Sequence, residues 1–176
     1  SPAFKNTLSK DNITFIAEEG ADYNWYTEKG LIQLEALIGA DTTKYVILSF
    51  GINDLSSIDN YINIYSSLIN KYKNVKIYLM SVNPVEEELA FQNGHNIVNT
   101  EIVIFNNLLK ISFPDNYIDV YSEIINNFKT TDGIHYDDET NNKIHEIVLK
   151  FIKANNYQNC TFLADDEYFF LARDVN

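Results

Sequence analysis

An α/β fold, built on a parallel sheet with helices on both faces, follows from three observations. Short apolar runs of strand length alternate along the chain with longer amphipathic stretches of helical spacing. The strand-like runs are apolar at consecutive positions rather than alternate ones, which marks strands buried on both faces. The 176 residues, 45% of them hydrophobic, suffice for one domain with a full core, and positions 1–176 read as a single unit.

The elements follow in order. Asn12 to Ala17 is a short β-rich run. Trp25 to Ile38 carries Leu31, Leu34, Leu37 and Ile38 at helical spacing. Tyr45 to Phe50 is a continuous apolar strand that stops at Gly51. Ile58 to Tyr72 reads as a helix with Tyr61, Ile62, Tyr65, Leu68 and Ile69 on one side, and Val75 to Met80 is the next strand. A loop with Asn83-Pro84 and Asn93-Gly94 follows, in which Glu86-Glu87-Glu88 is expected to be a solvated face. Ile97 to Ile111 should be a helix with Ile97, Ile104, Phe105, Leu108 and Leu109 inward. A brief strand at Tyr117 to Val120, a short helix at Tyr121 to Phe128 and a long one at Asp137 to Ala154 complete the pattern. The core face of the last is Ile144, Ile147, Val148, Phe151 and Ile152.

The tail is unusual. Asn159 to Asp166 reads as a strand running into a turn, and Glu167 to Arg173 could begin another helix. So apolar a strand belongs inside the sheet, the competing expectation being an added edge strand.

Composition narrows the function. The net charge of -12 repels phosphate backbones and anionic membranes, so neither nucleic acid nor a membrane surface is an expected partner. No apolar run approaches the roughly 20 residues of a membrane span. Cys160 is the sole cysteine, which rules out an internal disulfide and a cysteine metal cluster. His95, His135 and His145 are too scattered to suggest a metal by spacing. With six glycines and no G-x-G-x-x-G or P-loop pattern, no phosphate-cradling loop is present and no cofactor is expected. The opening at Ser1-Pro2, without Met, fits a mature or trimmed form. A secreted or cell-surface bacterial setting is expected ahead of a cytoplasmic one.

Two clusters carry chemistry, both where a parallel α/β sheet places ligands, beyond the carboxyl ends of strands. In Phe50-Gly51-Ile52-Asn53-Asp54, Gly51 permits a tight turn from which the Asn53 amide can point into a cleft. The plain alternative is an Asx-type turn. In Thr131-Asp132-Gly133-Ile134-His135, an Asp and a His three residues apart can face each other. The carboxylate then fixes the imidazole tautomer and stabilises the imidazolium. The plain alternative is helix capping by Asp137 and Asp138 with His135 on the surface.

Gly51-x-Asn53-Asp54 and Asp132-x-x-His135, in this order, resemble blocks III and V of the SGNH/GDSL hydrolases. Ile16 to Trp25 looks like the block II region of bacterial members, and Tyr78 to Val85 is also similar to them. The resemblance covers most of residues 12–154. It implies a three-layer α/β/α sandwich with a five-stranded parallel sheet, and hydrolysis of acyl esters without a metal. By motif, His135 would be the general base and Asp132 its orienter. Asn53 and the Gly20 backbone N–H would be oxyanion donors, each worth on the order of 3 kcal/mol in a transition state. The substrate implied is a small acyl ester, O-acetylated carbohydrate first among them.

The chain departs from the family at block I, a strand ending in Gly-Asp-Ser that should precede block II. Nothing like it stands before Asn12. Phe162-Leu163-Ala164-Asp165-Asp166 looks like that block, with Ala164 for Gly and Asp166 for the nucleophilic Ser. A circular permutation, or a boundary cut through tandem copies, would place this C-terminal segment as the central first strand, and the link 155–159 is long enough to allow it. A strand lent by a neighbouring copy would give a domain-swapped dimer instead of a monomer.

Asp166 opposite His135 would form an ion pair and would not reproduce serine acyl transfer. Either activity is lost or altered, leaving a non-catalytic glycan- or partner-binding module, or another serine serves. Ser1 is the free alternative. Ser49 reads as core, Ser81 as structural, and Ser56 and Ser57 as helix caps. His95 is expected to face solvent and His145 to be structural. The twelve tyrosines, with Trp25, could line a sugar cleft but are more often core.

Overall fold

The computed structural model describes residues 4–8 and 13–166. Six strands form one sheet: β1 (Phe4–Leu8), β2 (Ile13–Ala17), β3 (Tyr45–Ser49), β4 (Lys76–Met80), β5 (Tyr117–Ile118) and β6 (Cys160–Ala164). Their order is β1-β2-β6-β3-β4-β5. The five strands from β2 to β5 in that order are parallel, as the apolar runs predict. The sixth is an addition to that expectation: β1 pairs antiparallel with β2 at the sheet's edge.

The tail strand lies inside the sheet. β6 hydrogen-bonds β2 on one side, with Ala17 opposite Ala164, and β3 on the other, with Ser49 opposite Ala164. An edge placement is therefore excluded, and the physical reason is burial: every residue of Cys160–Ala164 is shielded from solvent. Side chains then alternate between two cores. Leu163 joins Val46, Leu48 and Leu79 on one face, while Phe162 and Ala164 join Ile47 and Met80 on the other.

Helices cover both faces. On the first lie α2 (Leu31–Gly39), preceded by a one-turn α1 (Tyr23–Trp25) and a π-helical Tyr26–Gly30, then α3 (Ile58–Lys71) and α5 (Asn99–Ser112). On the second lie α6 (Tyr121–Ile124) and α7 (Asp138–Phe151). This is a three-layer α/β/α sandwich.

The α3 and α7 faces are broadly as expected, with Tyr61, Tyr65 and Leu68 buried on one and Ile144 and Val148 on the other. Phe151 is instead exposed. The α5 face is rotated from the expected one. Ile102, Phe105, Asn106 and Leu109 are buried, whereas Ile104 and Leu108 are exposed. Asn106 turns inward because its amide pairs with both backbone groups of Val82, at 2.8 Å each. One more helix, α4 (Glu87–Gln92), occupies what reads in sequence as loop. The tail beyond Asp166, where a further helix is expected, lies outside the described residues, as does Ser1.

Candidate active site

The parallel register brings Ala17, Ala164 and Ser49 to one level, so three strands end side by side. The residues that follow each of them form the rim: Glu18-Glu19-Gly20 after β2, Asp165-Asp166 after β6, and Phe50-Gly51 after β3. Asp165 N–H still donates to the Ser49 carbonyl (3.1 Å), so the ladder holds one residue past the strand.

His135 arrives on the loop before α7. Its Nδ1 stands 2.5 Å from Asp132 Oδ2, and its backbone N–H donates to Asp132 Oδ1 (2.8 Å). Ile134 N–H donates to the same oxygen (3.0 Å). Burial pushes the Asp132 carboxyl up, but the His135 backbone N–H and the imidazole outweigh it and hold it below the usual carboxylate range. Helix capping is also present, but by a separate residue: Asp137 Oδ1 accepts from Thr140 N–H.

The loop needs a glycine at its turn. Gly133 has φ +103, and a Cβ there would lie 2.2 Å from the Ala90 backbone nitrogen. Its carbonyl accepts from Glu86 N–H (2.9 Å). Glu86 Oε1 in turn accepts from Thr130 N–H and Oγ1–H, both at 2.7 Å. Glu86 is thus not part of a solvated face: it anchors the His135 loop, while Glu87 and Glu88 are exposed. Tyr136 OH donates to the Pro84 carbonyl (2.6 Å), a second tether from the β4 side.

The other imidazole nitrogen meets a residue that sequence reasoning missed. His135 Nε2 is 3.1 Å from Glu19 Oε1. Glu19 is half exposed and sits one residue before Gly20, whose φ is +79. The imidazole is therefore flanked by a carboxylate on each nitrogen.

The Gly51 turn follows β3. Gly51 has φ +128, and a Cβ would come within 2.6 Å of the Phe105 ring and 2.8 Å of Val82. Asn53 Nδ2 donates to the Ala21 carbonyl (2.8 Å), so one amide proton is committed to the turn after β2. Asp54 accepts from Tyr23 N–H (2.8 Å) and Tyr61 OH (2.9 Å), which binds the two turns together. Burial raises the Asp54 carboxyl above its ordinary value.

At the end of β6, Asp165 is buried and Asp166 half-buried. Burial first, and the neighbouring Asp166 charge second, drive the Asp165 carboxyl well above the ordinary range. Asp166 and the His135 loop share a cavity of about 70 Å³. Asp165, Asp166, Ile134, Tyr136, Ser49 and Ala164 are among its lining residues.

The alternative serines divide. Ser81 is buried and structural, its Oγ donating to Asn83 and accepting from Val120 and Tyr121 N–H. Ser49 lines the cavity rather than the core, because the strand ends there. Ser56 and Ser57 fall in a short 3-10 turn, Leu55–Ser57, and Ser57 makes no side-chain cap. His145 is buried, with Nδ1 3.0 Å from Tyr157 OH, a structural pair. His95 is half-buried rather than solvent-facing. Trp25, Tyr26, Tyr61 and Tyr65 pack with Phe50 as core and line no sugar cleft. Among the described residues, no group of three or more His, Cys, Asp or Glu could hold a metal ion, and no helix is long and apolar enough to cross a membrane.

No family model and no curated protein matches the chain. Among solved structures, it is similar to one described as "a putative platelet activating factor" from Streptococcus pneumonia, with 21% identity and a TM-score of 0.49. That similarity covers 62% of this chain and 58% of the other, so the chain spans less than two thirds of that protein's length.

Proposed function

We propose that this chain carries an SGNH/GDSL-like site for hydrolysing small acyl esters, with carbohydrate O-acetyl groups as the first substrates to test. The observation that supports it most is the Asp132–His135 contact at 2.5 Å, on a loop whose neighbouring residues Ile134 and Tyr136 line the cavity at the end of β6. In this reading Asp132 fixes the His135 tautomer so that Nε2 takes the proton from the attacking oxygen. Asn53, through its second amide proton, and the Gly20 N–H stabilise the oxyanion. The chain order then corresponds to a permuted family member in which block I comes last.

In this reading Asp166 stands for the family's nucleophilic serine, which it does not match. The attacking group under this reading is a water that His135 deprotonates, with no acyl-enzyme. A carboxylate beside the nucleophile's path repels the developing oxyanion, so turnover should be slow. The test is hydrolysis of 4-nitrophenyl acetate and of O-acetylated oligosaccharide. His135→Ala should lower turnover at least about 100-fold, and turnover surviving that change would end the proposal.

One observation favours a second reading, a non-catalytic glycan- or partner-binding module. Glu19 already stands 3.1 Å from the nitrogen that would have to act as base. Binding of an acetylated oligosaccharide with no release of acetate would select it.

A further inference from the structure

The turn that carries Asp132 and His135 is held from outside by a relay of hydrogen bonds whose direction is set by chemistry. Glu86 Oε1 receives the Thr130 backbone N–H and the Thr130 hydroxyl, both at 2.7 Å. A threonine hydroxyl has one hydrogen, so donating it to Glu86 leaves only lone pairs for other partners. One lone pair takes the Gly133 N–H (2.8 Å). The Gly133 carbonyl accepts in turn from the Glu86 N–H (2.9 Å). Glu86 and Thr130 therefore hold both backbone polar groups of Gly133.

Gly133 stands between the two functional residues in the chain. Its φ of +103 makes the bend across which Asp132 Oδ1 collects the Ile134 and His135 N–H groups while Oδ2 meets Nδ1. The helix that Glu86 begins, α4, supports the same turn at two further points. Ala90 lies where a Cβ on Gly133 would fall, and Asn93 Nδ2, at the helix end, donates to the Asp132 carbonyl (3.2 Å). The turn thus lies along α4 from its start to its end, and the Glu86–Thr130 relay is the part that fixes the Gly133 peptide groups.

We propose that Glu86, acting through Thr130, is a positioning residue for the Asp132–His135 pair: it sets the bend at Gly133 and so the line of the carboxylate–imidazole contact. The inference rests on the hydrolase reading for its effect on turnover, but its effect on the contact stands apart from that reading. What the relay needs is an acceptor oxygen at 86 and a hydroxyl at 130, not a negative charge. Glu86→Gln keeps the oxygen and Thr130→Ser keeps the hydroxyl. Glu86→Ala removes the end of the relay, and Thr130→Val removes its middle.

The test reads the His135 ring in the full chain. The nitrogen-15 shifts of the ring, detected through its carbon-bound protons, tell which nitrogen of the neutral imidazole carries the proton. In wild type, Glu86→Gln and Thr130→Ser it should sit on Nδ1, facing Asp132. In Glu86→Ala and Thr130→Val the ratio of the Nδ1–H to the Nε2–H form should fall at least about threefold. On 4-nitrophenyl acetate these two variants should lose about 30-fold in kcat with little change in KM, because the base is misaligned while the rest of the site is intact. Glu88→Ala, on the exposed side of α4, is the control and should match wild type.

An unmoved tautomer ratio in Glu86→Ala and Thr130→Val overturns the proposal. So does a ratio that falls equally in Glu86→Gln and Thr130→Ser, which would make the whole side chain the requirement and not its hydrogen bond. Urea unfolding of each variant separates positioning from stability: a purely structural role lowers the midpoint and leaves the ratio in the folded chain where it was. If Glu86→Ala fails to fold, the Thr130→Val and Thr130→Ser pair decides. A shifted ratio with no wild-type turnover keeps the positioning role and removes the hydrolase reading; turnover with an unmoved ratio does the reverse.

Discussion

The two nitrogens of His135 are governed by different kinds of structure. On the Nδ1 side everything is local: Asp132 lies three residues away, and its carboxylate also gathers the N–H groups of Ile134 and His135. On the Nε2 side nothing is local. Glu19 reaches it from the end of β2, far from His135 in sequence. The half-site made by a loop is complete and in a familiar geometry. The contacts made at the strand ends bring a carboxylate, Glu19, to the second nitrogen. A contact contained in four residues is thus fixed by its own loop, while one between distant residues depends on the whole sheet.

The largest effect should come from breaking the local half. Gly133→Ala forces a side chain into a φ of +103 and places a Cβ 2.2 Å from the Ala90 nitrogen. A loss of about 3 kcal/mol in urea unfolding is expected from the strain and the displaced backbone. Retained stability would mean that the loop has another low-energy path. The next effect sharpens the distant half. Asp166→Ser should raise ester turnover about 30-fold and make the chain reactive to a fluorophosphonate, with the label at position 166 by mass spectrometry. Smaller still, Glu19→Ala removes one carboxylate from Nε2 and should raise turnover about threefold, with stability unchanged because Glu19 is exposed. No gain from either variant would mean that the strand ends do not aim at His135.

The same division decides what the sequence could tell. Asp132-x-x-His135 was legible because its geometry is contained in four residues. The interior position of β6 was legible because five consecutive buried residues leave no solvent face for an edge. Glu19 and Glu86 were not. Each sits in an acidic run that reads as solvated, and only the tertiary fold gives one an imidazole and the other the Thr130 N–H. The α5 face was misread because Ile102, Val103, Ile104, Phe105, Leu108 and Leu109 offer apolar residues all around the helix. The choice was made by Asn106, a polar residue that satisfies the Val82 backbone as a strand would.

The least visible prediction concerns Asp165, the residue that joins the two halves to the core. Its carboxyl is raised by burial and by Asp166, with Asp54 adding to the effect, against the pull of the Gly51 N–H. A carboxyl with a raised folded pKa contributes stability that is complete below its unfolded pKa of about 3.9. The contribution declines as the pH rises past that value and is lost on passing the folded pKa. Asp132 is the opposite case: its depressed folded pKa gives stability above the unfolded pKa, lost only as the pH falls through the folded one. The Asp132 window lies below pH 4; Asp54, also raised by burial, shares the window of Asp165, so it is the difference between an Asp165 variant and wild type, not the wild-type curve, that reports Asp165. Asp165→Asn keeps the shape and removes the titration. The urea midpoint of the variant, relative to wild type, should therefore climb as the pH is raised from 4 toward 8. A difference that stays flat over that range would mean the carboxyl ionises as freely in the folded chain as in the unfolded one. Asp165 would then be open to water, and the strand ends would form a wet, charged rim in place of a sealed floor.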